Sequence, residues 1–203
     1  MTGIANAAIV ILALPAATAA ALAMLPSYRL SSALNVASAF VTFLASVSLL
    51  AVPPQPGAYI LVDDLNVVFV VLNTFVGFTA SVFSATYIAH EIETGKLTPT
   101  HLRFYHAMYQ FLLFSMNLAL VANNIGLMWV AIEFATLTTV VMVGIYRTHE
   151  ALEAAWKYFI LGSVGIALAL FGTILIYMAA RPVVGEGLDA MLWTVLIERV
   201  AAC

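Results

Sequence analysis

A carboxyl group lies inside an otherwise uncharged apolar stretch of this sequence. Residues 125–146 read IGLMWVAIEFATLTTVVMVGIY, and a helix of this length crosses a hydrocarbon core of about 30 Å. An ionised carboxylate at the depth of Glu133 costs at least about 2.5–3.5 kcal/mol unless it is protonated, paired or hydrated. The pattern therefore predicts a proton site at Glu133, with a static, hydrogen-bonded acid as the alternative. Gly126 and Gly144 share its helix face and would let a neighbouring helix approach closely.

A lysine follows on the next apolar stretch. Glu150, Glu153 and Lys157 are spaced three and four apart, which puts them on one stripe of a helix. From the helical rise, Lys157 lies about 9 Å and Glu133 about 20 Å from the cytoplasmic ends of two antiparallel helices. A Glu133–Lys157 pair bridged by water could store a proton, because a nearby lysine favours the charged carboxylate and burial favours the neutral acid. Alternatively, Lys157 pairs with Glu153 and extends toward the cytoplasmic interface.

The four histidines fall at predicted cytoplasmic helix ends, where an interfacial or proton-collecting role is favoured. We interpret His106 and His149, together with Glu150 and Glu153, as candidate residues of a proton path or its entry. A haem held by two imidazoles is disfavoured, since His90, His101, His106 and His149 provide no pair on opposite halves of two spans. No phosphate-binding glycine loop or nucleophile–base set is recognisable.

The composition is that of an integral membrane protein. Hydrophobic residues make up 64% of the 203 residues and charged residues 8%, and the mean hydropathy is +1.07. A net charge of −3 gives no reason to expect nucleic-acid binding. Cys203 is the only cysteine, which excludes an intramolecular disulfide or an iron–sulfur ligand set within this sequence.

The apolar pattern predicts an all-α, polytopic transmembrane bundle of about six spans. The first stretch is expected to be a retained helix rather than a signal peptide, because no Lys or Arg precedes it. After Arg181, the segment with Leu188, Leu192, Val195 and Leu196 on a shared face is too short to span. We expect it to be an interfacial helix or the start of another span. The predicted spans are 4–25, 30–52, 65–89, 104–122, 125–146 and 151–179.

Basic residues in the connections predict the orientation. The first, third and fifth connections carry Arg29, Lys96, Arg103 and Arg147, whereas the second and fourth carry no Lys or Arg. By the positive-inside rule the odd connections face the cytoplasm and the N-terminus faces the periplasm.

Polar residues form stripes on two of the spans. His106, Gln110, Asn117 and Asn124 recur at helical spacing on the fourth span, and Asn66, Asn73 and Gly77 do so on the third. These stripes face either a hydrated interior or partner helices through hydrogen bonds.

Two segments together resemble the antiporter-like, proton-translocating membrane subunits of respiratory complex I. They are NNIGLMWVAIEFATLTTVVMVGIY and LEAAWKYFILGSVGIALALFG. A third segment, YIAHEIETGKLTP, lies between the third and fourth spans and is similar to component F of hydrogenase-4, in the group 4 membrane-bound hydrogenases. The resemblance implies proton translocation by Glu133 and Lys157 as a charge pair, without a catalytic centre in this chain. It implies a nickel–iron site and iron–sulfur clusters, or a flavin, on partner subunits of a soluble redox arm.

The resemblance also implies about fourteen helices in two inverted repeats, in a bacterial inner membrane. We therefore expect this sequence to correspond to the N-terminal part, with other membrane-arm subunits and a chain supplying the missing helices as partners. The expected units are a three-helix membrane segment (1–103), the first helices of the proton-translocation repeat (104–180) and an interfacial tail (181–203).

Three other functions stay open from the sequence. The chain could be a subunit of a multisubunit cation/proton antiporter without redox partners, or a structural subunit that anchors or assembles a complex. A haem-bearing electron-transfer subunit is the least favoured. The sequence does not distinguish proton from sodium.

Overall fold

The protein is described from a computed structural model that covers residues 2–25, 27–51, 57–95 and 98–200. Side chains are described for all of these except residues 2–6, 99, 100, 102, 103 and 200. Lys96 and Cys203, which entered the sequence analysis, lie outside the described residues, as does the side chain of Arg103.

The described residues form seven α-helices, with isolated β-bridges and no β-strand among them. Six of the helices are long and apolar enough to cross a membrane, which confirms the predicted all-α polytopic fold. The helices are α1 (Thr2–Met24), α2 (Tyr28–Leu49), α3 (Asn66–Glu93), α4 (Pro99–Val121), α5 (Ile125–Val143), α6 (His149–Val184) and α7 (Trp193–Val200).

Two helices extend beyond their predicted bounds into a connection predicted to be polar loop. α3 continues to Glu93 and ends before Gly95, whose φ of 74° suits a left-handed helix terminus. α4 begins at Pro99 rather than near 104. The Thr98 hydroxyl accepts a hydrogen bond from the His101 backbone N–H at 3.4 Å, and proline is well suited to the first helical position.

A tight reversal makes α5 and α6 antiparallel neighbours. α5 passes into a single 3₁₀ turn, Gly144–Tyr146, and Arg147 then adopts a left-handed φ of 54°. Thr148 caps α6, because its hydroxyl accepts a hydrogen bond from the Ala151 backbone N–H at 3.2 Å.

Asn123 joins three segments at the opposite end of the bundle. Its backbone carbonyl accepts from Trp193 N at 2.7 Å, its Oδ1 accepts from Thr194 N at 3.2 Å, and its Nδ2 donates to Gly57 O at 2.8 Å. The tail is therefore tied to the turn between α4 and α5. Leu188 lies before α7, so it does not share that helix's face with Val195 and Leu196 as the sequence suggested.

The interior of α1–α4 is rich in hydrogen bonds that polar side chains make to neighbouring helices. Gln110 Nε2 donates to Asn35 Oδ1 at 2.8 Å, and Asn73 Nδ2 donates to Asn117 Oδ1 at 2.9 Å. The Tyr109 hydroxyl donates to the Gly77 carbonyl at 2.5 Å. Gln110 and Asn117 of the predicted α4 stripe thus face partner helices, and hydrogen bonds of this kind hold helices together where lipid offers no hydrophobic driving force. Asn124, predicted as part of the same stripe, lies beyond the end of α4 and caps α5 instead, because its Oδ1 accepts hydrogen bonds from the Gly126 and Leu127 backbone N–H groups at 3.0 Å.

Candidate proton-translocation site

Glu133 lies on the side of α5 that packs against α6. One turn earlier, Trp129 Nε1 donates to the Ile166 carbonyl at 2.9 Å. Nearer the reversal, the Thr139 hydroxyl donates to the Tyr158 hydroxyl at 3.1 Å. Because these contacts lie on both sides of Glu133 along α5, they fix the register of the two helices around the carboxyl group.

The two glycines on the helix face of Glu133 make room for different neighbouring segments. A β-carbon at Gly144 would lie 3.5 Å from Ala155 Cβ, so this glycine does allow the close approach of α6. A β-carbon at Gly126 would instead lie 2.8 Å from Met191 Cε. Gly126 therefore makes room for the tail, which the sequence analysis did not foresee.

The Glu133 carboxyl group is the notable polar group of this interface. Its Oε2 atom is buried and has no hydrogen-bond partner among the described residues. A buried oxygen without a partner costs about 1–3 kcal/mol, and more when the group is charged. The unpartnered oxygen distinguishes Glu133 from Glu153, whose carboxylate is paired with Lys157.

Lys157 is paired with Glu153, not with Glu133. Its Nζ lies 2.5 Å from Glu153 Oε1, and the two side chains are 70% and 51% exposed. Lys157 is two residues, or about 200° around the helix, from Ala155, which packs toward α5. Its side chain leaves α6 on the side opposite Glu133, about 9 Å away along the helix axis.

The candidate entry residues separate into two groups. His149 and Glu150 are exposed in the first turn of α6, next to Glu153 and Lys157 in sequence and on the same helix end. His106 is fully buried on α4 and contacts none of them through a hydrogen bond. The structure thus brings four of the candidates to the start of α6 and leaves Glu133 and His106 apart.

Glu91 is a buried acid that the sequence analysis missed. It is 5% exposed in the last turn of α3, a region predicted to be a connection. Its spacing from Ser84 and Ile88, which are also buried, is that of one helix face and was the available signal. The Tyr146 hydroxyl, which lies 3.2 Å from the Tyr87 hydroxyl, also interacts with Glu91.

Within the described ranges, no three His, Cys, Asp or Glu side chains lie close enough together to hold a metal ion.

Residues 122–196 match the membrane-protein family described as NADH:quinone oxidoreductase/Mrp antiporter. The matched residues run from the end of α4 through α5 and α6 into α7, and they contain both Glu133 and Lys157. Over these residues the chain is similar to the antiporter-like family, and the resemblance stated from the sequence is confirmed. The match to a membrane-protein family and the six apolar helices make it a multi-pass membrane protein.

Individual relatives point the same way. The chain is 63% identical over 180 residues to a hydrogenase-4 component F homolog of Methylacidiphilum infernorum, a match that covers 89% of this chain. It is 35% identical over 101 residues to F(420)H(2) dehydrogenase subunit N of Methanosarcina mazei, and 38% identical over 68 residues to NADH-quinone oxidoreductase subunit N 2 of Thermodesulfovibrio yellowstonii. These last two matches cover 48% and 33% of this chain. The chain spans 38%, 20% and 15% of the lengths of these three relatives.

The register of α5 and α6 is testable by cross-linking. In a Cys203→Ser background, Gly144→Cys combined with Ala155→Cys should form a disulfide on mild oxidation, because the 3.5 Å separation of the β-carbons is within the range that disulfides require. Gel mobility without reductant measures the product. The control pair Gly144→Cys and Lys157→Cys should stay reduced, since Lys157 leaves the other side of α6. Equal cross-linking of both pairs would show that α6 presents a different face.

Proposed function

We propose that the chain is part of the proton-translocating membrane arm of a hydrogenase- or NADH:quinone oxidoreductase-related complex. The observation that carries this proposal is the half-buried Glu133, whose buried Oε2 atom has no hydrogen-bond partner among the described residues, inside the segment that matches the antiporter family. Ionisable residues within membrane spans mark ion or proton paths in most cases where they occur. Redox chemistry on partner subunits would change the proton occupancy of Glu133.

Lys157 is proposed to act on Glu133 through its charge rather than by contact. A separation on the order of 15 Å between the two groups follows from the helix geometry. At an effective dielectric constant of about 20, two unit charges at that distance interact by about 1 kcal/mol. That energy shifts a proton equilibrium about fivefold, so moving the lysine would favour binding or release of the proton.

The pairing of Lys157 supports a mobile role. Exposed ion pairs at i, i+4 are worth about 0.3–0.5 kcal/mol, so a partner surface could draw the ammonium away from Glu153 at little cost. His149 and Glu150, exposed at the same helix end, are proposed to collect protons there.

The proposed units of the chain are a three-helix membrane segment (1–103), the first helices of the proton-translocation repeat (104–180) and an interfacial tail (181–203).

The central prediction concerns Glu133→Gln in the complete complex. The amide keeps the size of the side chain but cannot bind and release a proton, so coupled proton movement should fall at least about tenfold while redox turnover remains. Proton uptake by inverted membrane vesicles, followed with a pH-sensitive dye during hydrogen or NADH oxidation, measures it. Glu153→Gln is the matched control and should reduce pumping far less, because that carboxylate is exposed.

Other outcomes distinguish the remaining functions. Wild-type pumping in Glu133→Gln would refute the mechanism. Cation-dependent proton flux that ignores electron donors would favour a cation/proton antiporter subunit, which the matched family's description also covers. If both Glu133→Gln and Lys157→Ala lower the abundance of the complex without changing its turnover or coupling, the result would favour a structural subunit that anchors or assembles the complex.

The proposed location is a bacterial inner membrane, with the N-terminus in the periplasm. The proposal rests on the basic residues of the odd-numbered connections.

Cysteine labelling tests this orientation. In a Cys203→Ser background, Ala58→Cys lies in the second connection and should react with a membrane-impermeant thiol reagent in intact cells. Ser27→Cys, equally exposed but in the first connection, should react only after permeabilisation. The reverse pattern would invert the topology.

The proposed partners are other membrane-arm subunits, a chain that supplies further helices, and a soluble arm carrying a nickel–iron site and iron–sulfur clusters or a flavin. Purification of the tagged chain from native membranes in mild detergent, followed by mass spectrometry, should recover such subunits together. Recovery of antiporter subunits alone would favour the second function. Recovery of the chain by itself would count against a redox-coupled pump.

A further inference from the structure

The buried face of α2 is polar along most of the membrane span. Beside Ala39 and Leu49, this face carries hydroxyls and one amide, which recur at helical spacing and are each no more than 4% exposed. Polar groups buried in hydrocarbon need hydrogen-bond partners, because no bulk water is available there. The residues are Ser31, Asn35, Ser38, Thr42 and Ser46.

Toward the middle of the span these groups are satisfied by protein. The Thr18 hydroxyl donates to Ser38 Oγ at 2.9 Å, and Ser38 Oγ donates to Gln110 Oε1 at 3.3 Å. Farther along α2, the hydroxyls of Ser46 and Thr74 share a hydrogen bond of 2.6 Å. This part of the bundle interior forms a network of hydrogen bonds between side chains.

Near the N-terminal ends of α2 and α4, several buried polar atoms lack such hydrogen bonds. Ser31 Oγ, Asn35 Nδ2 and both ring nitrogens of His106 are buried and have no hydrogen-bond partner among the described residues. Each of these three side chains is 0% exposed. Four polar atoms without partners, on three side chains, therefore occur at one end of the same bundle.

These atoms lie at one level between two parallel helices. The hydrogen bonds from Gln110 to Asn35 show that these two residues face each other across α4 and α2. His106 precedes Gln110 by one turn, and Ser31 precedes Asn35 by one turn, so both are on the facing sides. On α1, Leu22 follows Thr18 by one turn, is fully buried and offers no polar side-chain atom.

We propose that Ser31, Asn35 and His106 form an internal water-binding site in the α1–α4 bundle, with His106 as its protonatable group. Buried polar groups without protein partners are commonly satisfied by internal water that makes two to four hydrogen bonds. An imidazole bonded to water at both nitrogens can accept a proton at one and release a proton from the other. The site is separate from Glu133 and goes beyond the proposed function.

Deuterium exchange at the imidazole Cε1–H tests the proposal on the full chain in lipid nanodiscs. This hydrogen exchanges only when the ring can be protonated and water can reach it. His106 should exchange no more than about tenfold more slowly than the exposed His90 and His149, which are controls within the same sample. Absence of exchange at His106 after both controls are complete would overturn the proposal. Exchange that occurs only together with the α4 backbone amides would also overturn it, because it reports opening of the helix.

The direction in which the His106→Leu substitution shifts the melting temperature is an independent test of the proposal. In a hydrated site, leucine displaces water and strands Ser31 and Asn35, so the melting temperature should fall by about 2–4 °C. In a dry site, leucine removes two polar atoms that had no partner, and the melting temperature should rise, which would overturn the proposal. His149→Leu is the matched control and should change little. Neither experiment measures ion flux, so its failure would not bear on Glu133.

Discussion

The structure depends on one constraint: a polar group placed in hydrocarbon must find a partner within the protein or hold its own water. The first four helices meet it over much of their interior with cross-helix hydrogen bonds, such as those that join Gln110 to Asn35 and Asn73 to Asn117. Ser31 Oγ, Asn35 Nδ2 and the His106 ring nitrogens have no such partner among the described residues. The α5–α6 pair meets it only in part. Trp129 and Thr139 are satisfied across that interface, whereas Glu133 Oε2 is not. The unsatisfied oxygen is the atom at which we propose that the chain exchanges a proton.

The two charged residues that matter most differ in how firmly they are held. Glu133 is half-buried, with contacts between α5 and α6 on both sides of it along α5. Lys157 is largely exposed and is paired with a neighbouring carboxylate on its own helix. The proposed mechanism uses this difference, with a proton site at Glu133 and a mobile charge at Lys157. The long α6 also leaves most of its apolar surface uncovered, which suits contact with lipid or with other helices.

The family match and the site geometry complement each other here. The family match covers α5 and α6, where the unpaired carboxyl group lies, but not α1–α3, where most of the buried hydroxyls and amides lie. Since the chain spans a minor part of each relative's length, the activity of a whole complex enters only as a proposal. What the described residues show is a membrane bundle in which the Glu133 Oε2 atom has no hydrogen-bond partner.

The sequence by itself determined the six spans, the depth of Glu133 and the charge pattern of the connections, because hydrophobicity over 18 or more residues and a lone charge within it are local properties. It also predicted that the α4 stripe would face inward or toward partner helices. Tertiary structure alone decided which partners each residue meets: Lys157 with Glu153 rather than Glu133, Gly126 with the tail, and Glu91 buried instead of in a loop. Those outcomes depend on helix rotation and register, which are set by the summed packing of neighbouring helices and not by any one segment.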